Sequence, residues 1–100
     1  MAQDTSTSIE SQVLGRRDRG DSYAAIARDL HLSGAVEAQH HFRAALGGLP
    51  ADDRERVRSE ELQRLAVLAE QIRTRPDLSS SDRASLLRSL ARLRDLVRRS

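Results

Sequence analysis

Residues 22–46 read SYAAIARDLHLSGAVEAQHHFRAAL, and the apolar spacing within them decides the fold. Tyr23, Ile26, Ala27 and Leu30 fall at i, i+3, i+4 and i+7, which is one buried face of a short helix. Ser22 stands just ahead of it as an N-cap. The turn His31-Leu32-Ser33 follows, and Ser33 is expected to cap a longer helix from about Gly34 to Leu46. Its inner face is Ala35, Ala38, Phe42, Ala45 and Leu46, and Gly47-Gly48 ends it. Ala27 is small enough to let the two helices cross closely, while Leu30 and Leu32 plug their junction. A residue closing such a helix often has positive φ; His31 holds that place, and histidine tolerates it better than most side chains.

Working toward the N-terminus, Gly20-Asp21 is a breaker pair that stops a first helix running from just after Ser8 to Arg19, with Ile9 and Val13 one turn apart. Residues 1–7, MAQDTST, lack apolar periodicity and are expected to form a disordered tail. Toward the C-terminus, Pro50 suits the start of a fourth helix over about Asp52 to Arg73. Leu62, Leu65, Ala69 and Ile72 give this helix its seam, and its charged first half is expected to project into solvent. Arg75-Pro76-Asp77 breaks it. Ser79-Ser80-Ser81 offers caps for a fifth helix, about Asp82 to Arg98, whose seam is Leu86, Leu90, Leu93 and Val97, widened by Leu87 and Leu96. The fold class is therefore all-α: a trihelical head over residues 8–49, then a two-helix antiparallel hairpin over 50–100.

Composition supports this. One hundred residues allow one small domain. Its interior must be aliphatic, because fourteen Leu and thirteen Ala accompany only two aromatic residues, Tyr23 and Phe42. Three Ile and five Val are too few for a sheet. The absence of cysteine excludes disulfides, thiolate metal sites and Cys nucleophiles. No apolar run reaches the ~18 residues of a membrane span, so a cytoplasmic location without membrane partners is expected. All seventeen basic residues are Arg, a bias that a GC-rich genome accounts for. The charge is uneven: residues 1–50 hold five Arg and six acidic residues, whereas residues 51–100 hold twelve and nine. Residues 83–100 carry six Arg against Asp95 alone.

A short amphipathic helix, a tight turn and a longer polar-faced helix form the layout of a helix-turn-helix. Over residues 9–49 the chain resembles homeodomain-like helix-turn-helix proteins, through Tyr23-x-x-Ile26-Ala27-x-x-Leu30, Ser33-Gly34-Ala35 and Arg43-Ala44-Ala45-Leu46. With Glu60-Glu61-Leu62-x-x-Leu65 following, the whole chain is similar to the small actinobacterial and actinophage proteins described as terminase-small-subunit-like. That resemblance implies DNA binding by the head and oligomerisation by the later helices, in transcription or in phage-type DNA packaging. Two departures are visible: a short turn before the third helix, and little positive charge on it.

On this reading Gln39, His40 and Arg43 face base edges, since arginine is the commonest reader of guanine. Val36, Glu37 and Ala44 share the outward face. Arg16, Arg17 and Arg19 reach phosphates, making double-stranded DNA the expected partner. The residues expected at a homo-oligomer interface are Leu86, Leu87, Leu90, Leu93 and Val97, although the same seam can close within the chain. The Arg-rich helix over residues 83–99 is either a solvated face or the seat of an acidic protein partner. Residues 8–46 carry five Arg and five acidic residues, and this neutrality favours the rival reading, a helical interaction adaptor that does not bind DNA.

His31, His40 and His41 are expected to be solvated or base-facing, with no carboxylate at ligand spacing on that face and no metal bound. Phe42 is a core plug. Neither a glycine-rich phosphate loop nor an HExxH motif nor a nucleophile elbow is present, so no enzyme and no cofactor are expected.

Overall fold

The computed structural model describes residues 8–100, and the expected tail at residues 1–7 lies outside them. Five helices make up the described chain, with no strand among the described residues: α1 (Ile9–Asp18), α2 (Tyr23–Asp29), α3 (Ala35–Gly47), α4 (Ala51–Thr74) and α5 (Ser80–Arg98). The protein is all-α. The chain divides into two compact units, one ending at Leu49 and the other running Pro50–Ser100, where a chain of this length is expected to form one.

In the first unit α3 packs against both α1 and α2, which touch each other less. Val13, Tyr23, Ile26, Ala27, Ala38, Phe42 and Leu46 are buried and form its core. α1 and α2 are stopped by the same device. Gly20, at φ 94°, sends its N–H to the Arg17 carbonyl at 2.9 Å, and Asp21 N–H reaches the Arg16 carbonyl at 3.1 Å. One helix later His31 is left-handed at φ 58°; its N–H lies 3.4 Å from the Arg28 carbonyl, and Leu32 N–H is 2.8 Å from that of Ala27. These paired bonds are Schellman caps, which satisfy carbonyls that a helix end would otherwise leave open. His31 thus holds the left-handed place that its position in the sequence suggests.

The start of α3 departs from expectation. Gly34, not Ser33, is the N-cap, and no side chain caps the helix. Instead the Glu37 carboxylate reaches back and accepts the Ser33 N–H at 2.7 Å, half of a capping box displaced by one residue. Gly48 closes α3 with right-handed geometry, so neither glycine of the Gly47-Gly48 pair supplies a left-handed stop.

The second unit is α4 packed on α5. Leu65, Ile72, Leu93 and Val97 are its buried aliphatics, and Glu61 is buried with them at 0% exposure. The seam of α4 therefore runs through Glu61, Leu65 and Ile72, with Leu62 and Ala69 only half-buried beside it. Glu61 pairs with Arg64 at 3.3 Å, one turn on. Polarity alone assigned this glutamate to the wet face, but position in the turn sets burial. α5 begins two residues earlier than expected, because the Ser79 hydroxyl accepts the Asp82 N–H at 3.0 Å. Arg83 then folds back over the loop: Nε donates to the Ile72 carbonyl at 3.2 Å and Nη2 to the carbonyls of Arg75 and Leu78. Carbonyls at the end of α4 are satisfied from α5 in this way. Within the loop, the Arg75 guanidinium hydrogen-bonds the Asp77 carboxylate and holds it below its ordinary range.

Candidate nucleic-acid interface

α3 divides cleanly by burial. Ala38, Phe42 and Leu46 recur at four-residue intervals and are buried, with Phe42 at 1% exposure. The other side presents Val36, His40 and Ala44, all exposed, and Val36 at 75% is the most open of the large apolar side chains among the described residues. Gln39 and Arg43 lie half-buried along the edges of that face. Gln39, His40 and Arg43 thus share one helix, as expected of them.

What fixes α3 is a stack of three side chains. The Tyr23 and Phe42 rings meet edge to face, with centroids 6.0 Å apart and planes at 81°. Arg17 lies over the Tyr23 ring at 4.2 Å, and its Nη1 donates to the Asp21 carbonyl at 2.9 Å. At 7% exposure Arg17 is a packing residue, not the free phosphate ligand that its place in Arg16-Arg17 suggests. The dipeptide looks like a basic patch in the sequence, yet neighbours on a helix point about 100° apart, so one turns inward. Arg16 pairs with Asp29 at 3.3 Å and Arg19 with Asp21 at 3.3 Å, both near solvent.

Arg28 approaches Asp29 at 3.9 Å. Arg43 stands apart from these: it makes no ion pair or hydrogen bond with any of the described residues, and its Nε is buried without a partner. The acidic residue nearest to it in sequence, Glu37, is turned to the Ser33 N–H, which with His41 holds the carboxyl below its ordinary value. His41 sits between two carboxylates, with Nε2 3.4 Å from Glu37 and Nδ1 3.7 Å from Glu10. The expectation of no carboxylate at ligand spacing on the face of the histidines is thereby corrected. The i,i+4 spacing of Glu37 and His41 was the available signal. Of the two histidines on α3, His40 alone is exposed. No group of three metal-ligating side chains occurs among the described residues.

On α5, Leu93 and Val97 are 5% and 0% exposed, so they are filled by the α4–α5 contact and are not available to a second subunit. Leu87 and Leu90 are half-buried, and Leu86 is 42% exposed. Arg83 leaves the cationic face for the loop, so that face reduces to Arg88, Arg92, Arg94, Arg98 and Arg99. Among the described residues no helix is long and apolar enough to cross a membrane. No family model, curated protein or solved structure matches the chain.

Proposed function

We propose that residues 8–49 form a helix-turn-helix head that binds double-stranded DNA through α3, followed by a two-helix antiparallel hairpin that makes a separate, protein-directed contact. The observation that carries the reading is the Arg43 guanidinium, the one within residues 8–49 that makes no ion pair or hydrogen bond with the described residues, beside an outer face of Val36, His40 and Ala44. The left-handed His31 cap supports the same reading, because it turns the chain sharply between the two helices of the motif. Arg43 is the candidate guanine reader, and Gln39 and His40 are its companions. Val36 offers an apolar surface to a thymine methyl. Arg16 and Arg19, whose ion pairs are exposed and exchangeable, are the phosphate contacts; Arg17 drops out.

Neutrality is the specific observation on the other side. With five Arg and five acidic residues over 8–46, the head has little electrostatic reach, which favours the interaction adaptor as second reading. A duplex titration decides. With a site selected from random duplex, Arg43→Ala is expected to weaken binding by about 1–3 kcal/mol and to weaken random duplex less. Arg16→Ala with Arg19→Ala is expected to weaken both duplexes alike and to flatten the salt dependence. No binding of any duplex at low salt overturns the proposal.

A further inference from the structure

The α4–α5 unit carries an open groove of about 330 Å³, and none of the side chains lining it is a carboxylate. Leu62, Ala66 and Ala69 of α4 face Leu87, Leu90 and Ala91 of α5 across it. With Leu65 also in the lining, three of its seven apolar side chains are alanines, so a neighbouring backbone can come close. The polar lining is all cationic: Arg73, Arg94 and Arg98. Their ion pairs, with Glu70 at 3.2 Å and with Asp95 at 3.5 and 3.9 Å, are exposed and cost little to exchange.

The unit also needs a cover. Four buried aliphatic side chains are a small core for 51 residues, Pro50 to Ser100, and one buried group beside them is a carboxylate. From this shape and charge we infer that the groove is the docking site for a partner helix, one with large aliphatic side chains in a stripe flanked by Asp and Glu. An amphipathic helix fills a concave apolar channel with residues at i, i+3, i+4 and i+7, and its flanking carboxylates meet the three guanidinium groups. A second copy of this chain fits worse. Two such grooves face to face oppose two concave floors and place six arginines on one rim. The inference sharpens the protein-directed contact proposed for the hairpin and takes nothing from DNA binding by the head.

Two synthetic helical peptides test it, each with leucines at i, i+4, i+7 and i+11. One carries Glu on both flanks of the stripe and the other carries Lys. Fluorescence anisotropy with the full chain at low salt is expected to show the Glu peptide binding at least tenfold tighter than the Lys peptide. Ala66→Glu, at an exposed position in the floor, is expected to weaken the Glu peptide tenfold or more, with helicity by circular dichroism unchanged. Arg94→Glu with Arg98→Glu is expected to reverse the peptide preference. Equal binding of both peptides, binding indifferent to Ala66→Glu, or no binding at all overturns the inference. So does a sedimenting dimer that Ala66→Glu dissociates, since the occupant is then a second copy. Duplex titration of Ala66→Glu is expected to match the parent chain, so failure of the groove and failure of the head are read separately.

Discussion

The two units use the same residue, arginine, in opposite ways. In the three-helix unit four of five arginines are held by neighbours, Arg17 on the Tyr23 ring and Arg16, Arg19 and Arg28 on Asp29 or Asp21, and only Arg43 has no partner among the described residues. In the two-helix unit Arg83 closes the loop, while Arg73, Arg94 and Arg98 stand over an apolar groove with only exposed partners. The first unit has a core centred on a fully buried Phe42; the second has four buried aliphatics and a buried glutamate. Arginine count therefore says little about function until burial divides the packing cations from the available ones.

The contrast in cores is broken or kept by Phe42→Ala. Removing a buried aromatic costs about 3–5 kcal/mol, which matches the whole stability of a unit this small. The three-helix unit is expected to unfold at 25 °C. Tyr23 is the only tyrosine and there is no tryptophan, so tyrosine emission reports on that unit alone. A native-like denaturation midpoint in Tyr23 emission would show that Phe42 is not the keystone that its 1% exposure implies.

Smaller effects separate the two inward-turned arginines. Arg83→Met removes a charged donor from three carbonyls and is expected to cost about 1.5–3 kcal/mol, read as a lower urea midpoint by far-ultraviolet circular dichroism. Arg17→Met keeps the apolar stem but loses the cation over Tyr23 and one carbonyl bond, about 1–2 kcal/mol by Tyr23 emission. The Arg17 loss is expected to be nearly independent of salt, because the group is buried, and the variant's DNA salt slope is expected to be unchanged. A flattened slope would return Arg17 to the phosphate contacts.

Periodicity made the helices legible, since a buried stripe such as Tyr23-Ile26-Ala27 and Ala38-Phe42-Leu46 leaves a 3.6-residue signature. His31 was legible too, because the turn leaves one place that must be left-handed. Glu61 and Arg17 were not. Both are polar residues buried by tertiary packing, and hydropathy assigns each to the wrong side of its helix. Ser33 misled through local chemistry: a good capping side chain adjoins Gly34, and the long Glu37 arm satisfies the backbone instead. For the candidate site, sequence spacing grouped Gln39, His40 and Arg43 on α3, but only the ion-pair pattern distinguishes Arg43 from the four engaged arginines.

The smallest expected effect lies at the start of α3, where the three-helix unit acquires a pH dependence. Glu37 is held below its ordinary value of 4.5, chiefly by the Ser33 N–H and then by the Ser33 and His41 side chains, against a small opposing cost of burial. A carboxyl whose folded pKa is depressed stabilises the fold in full above its unfolded pKa, and that stabilisation is lost as pH falls through the folded pKa. Glu37→Gln keeps an oxygen that can accept from Ser33 and removes the titration. The parent chain is therefore expected to melt above the variant at pH 6, in Tyr23 emission. The gap is expected to narrow as pH falls below about 4.5 and to close once pH has passed through the depressed folded-state pKa. A gap of constant size across that range would mean that the carboxylate's charge contributes nothing to anchoring α3. The Ser33 bond would then act through geometry alone.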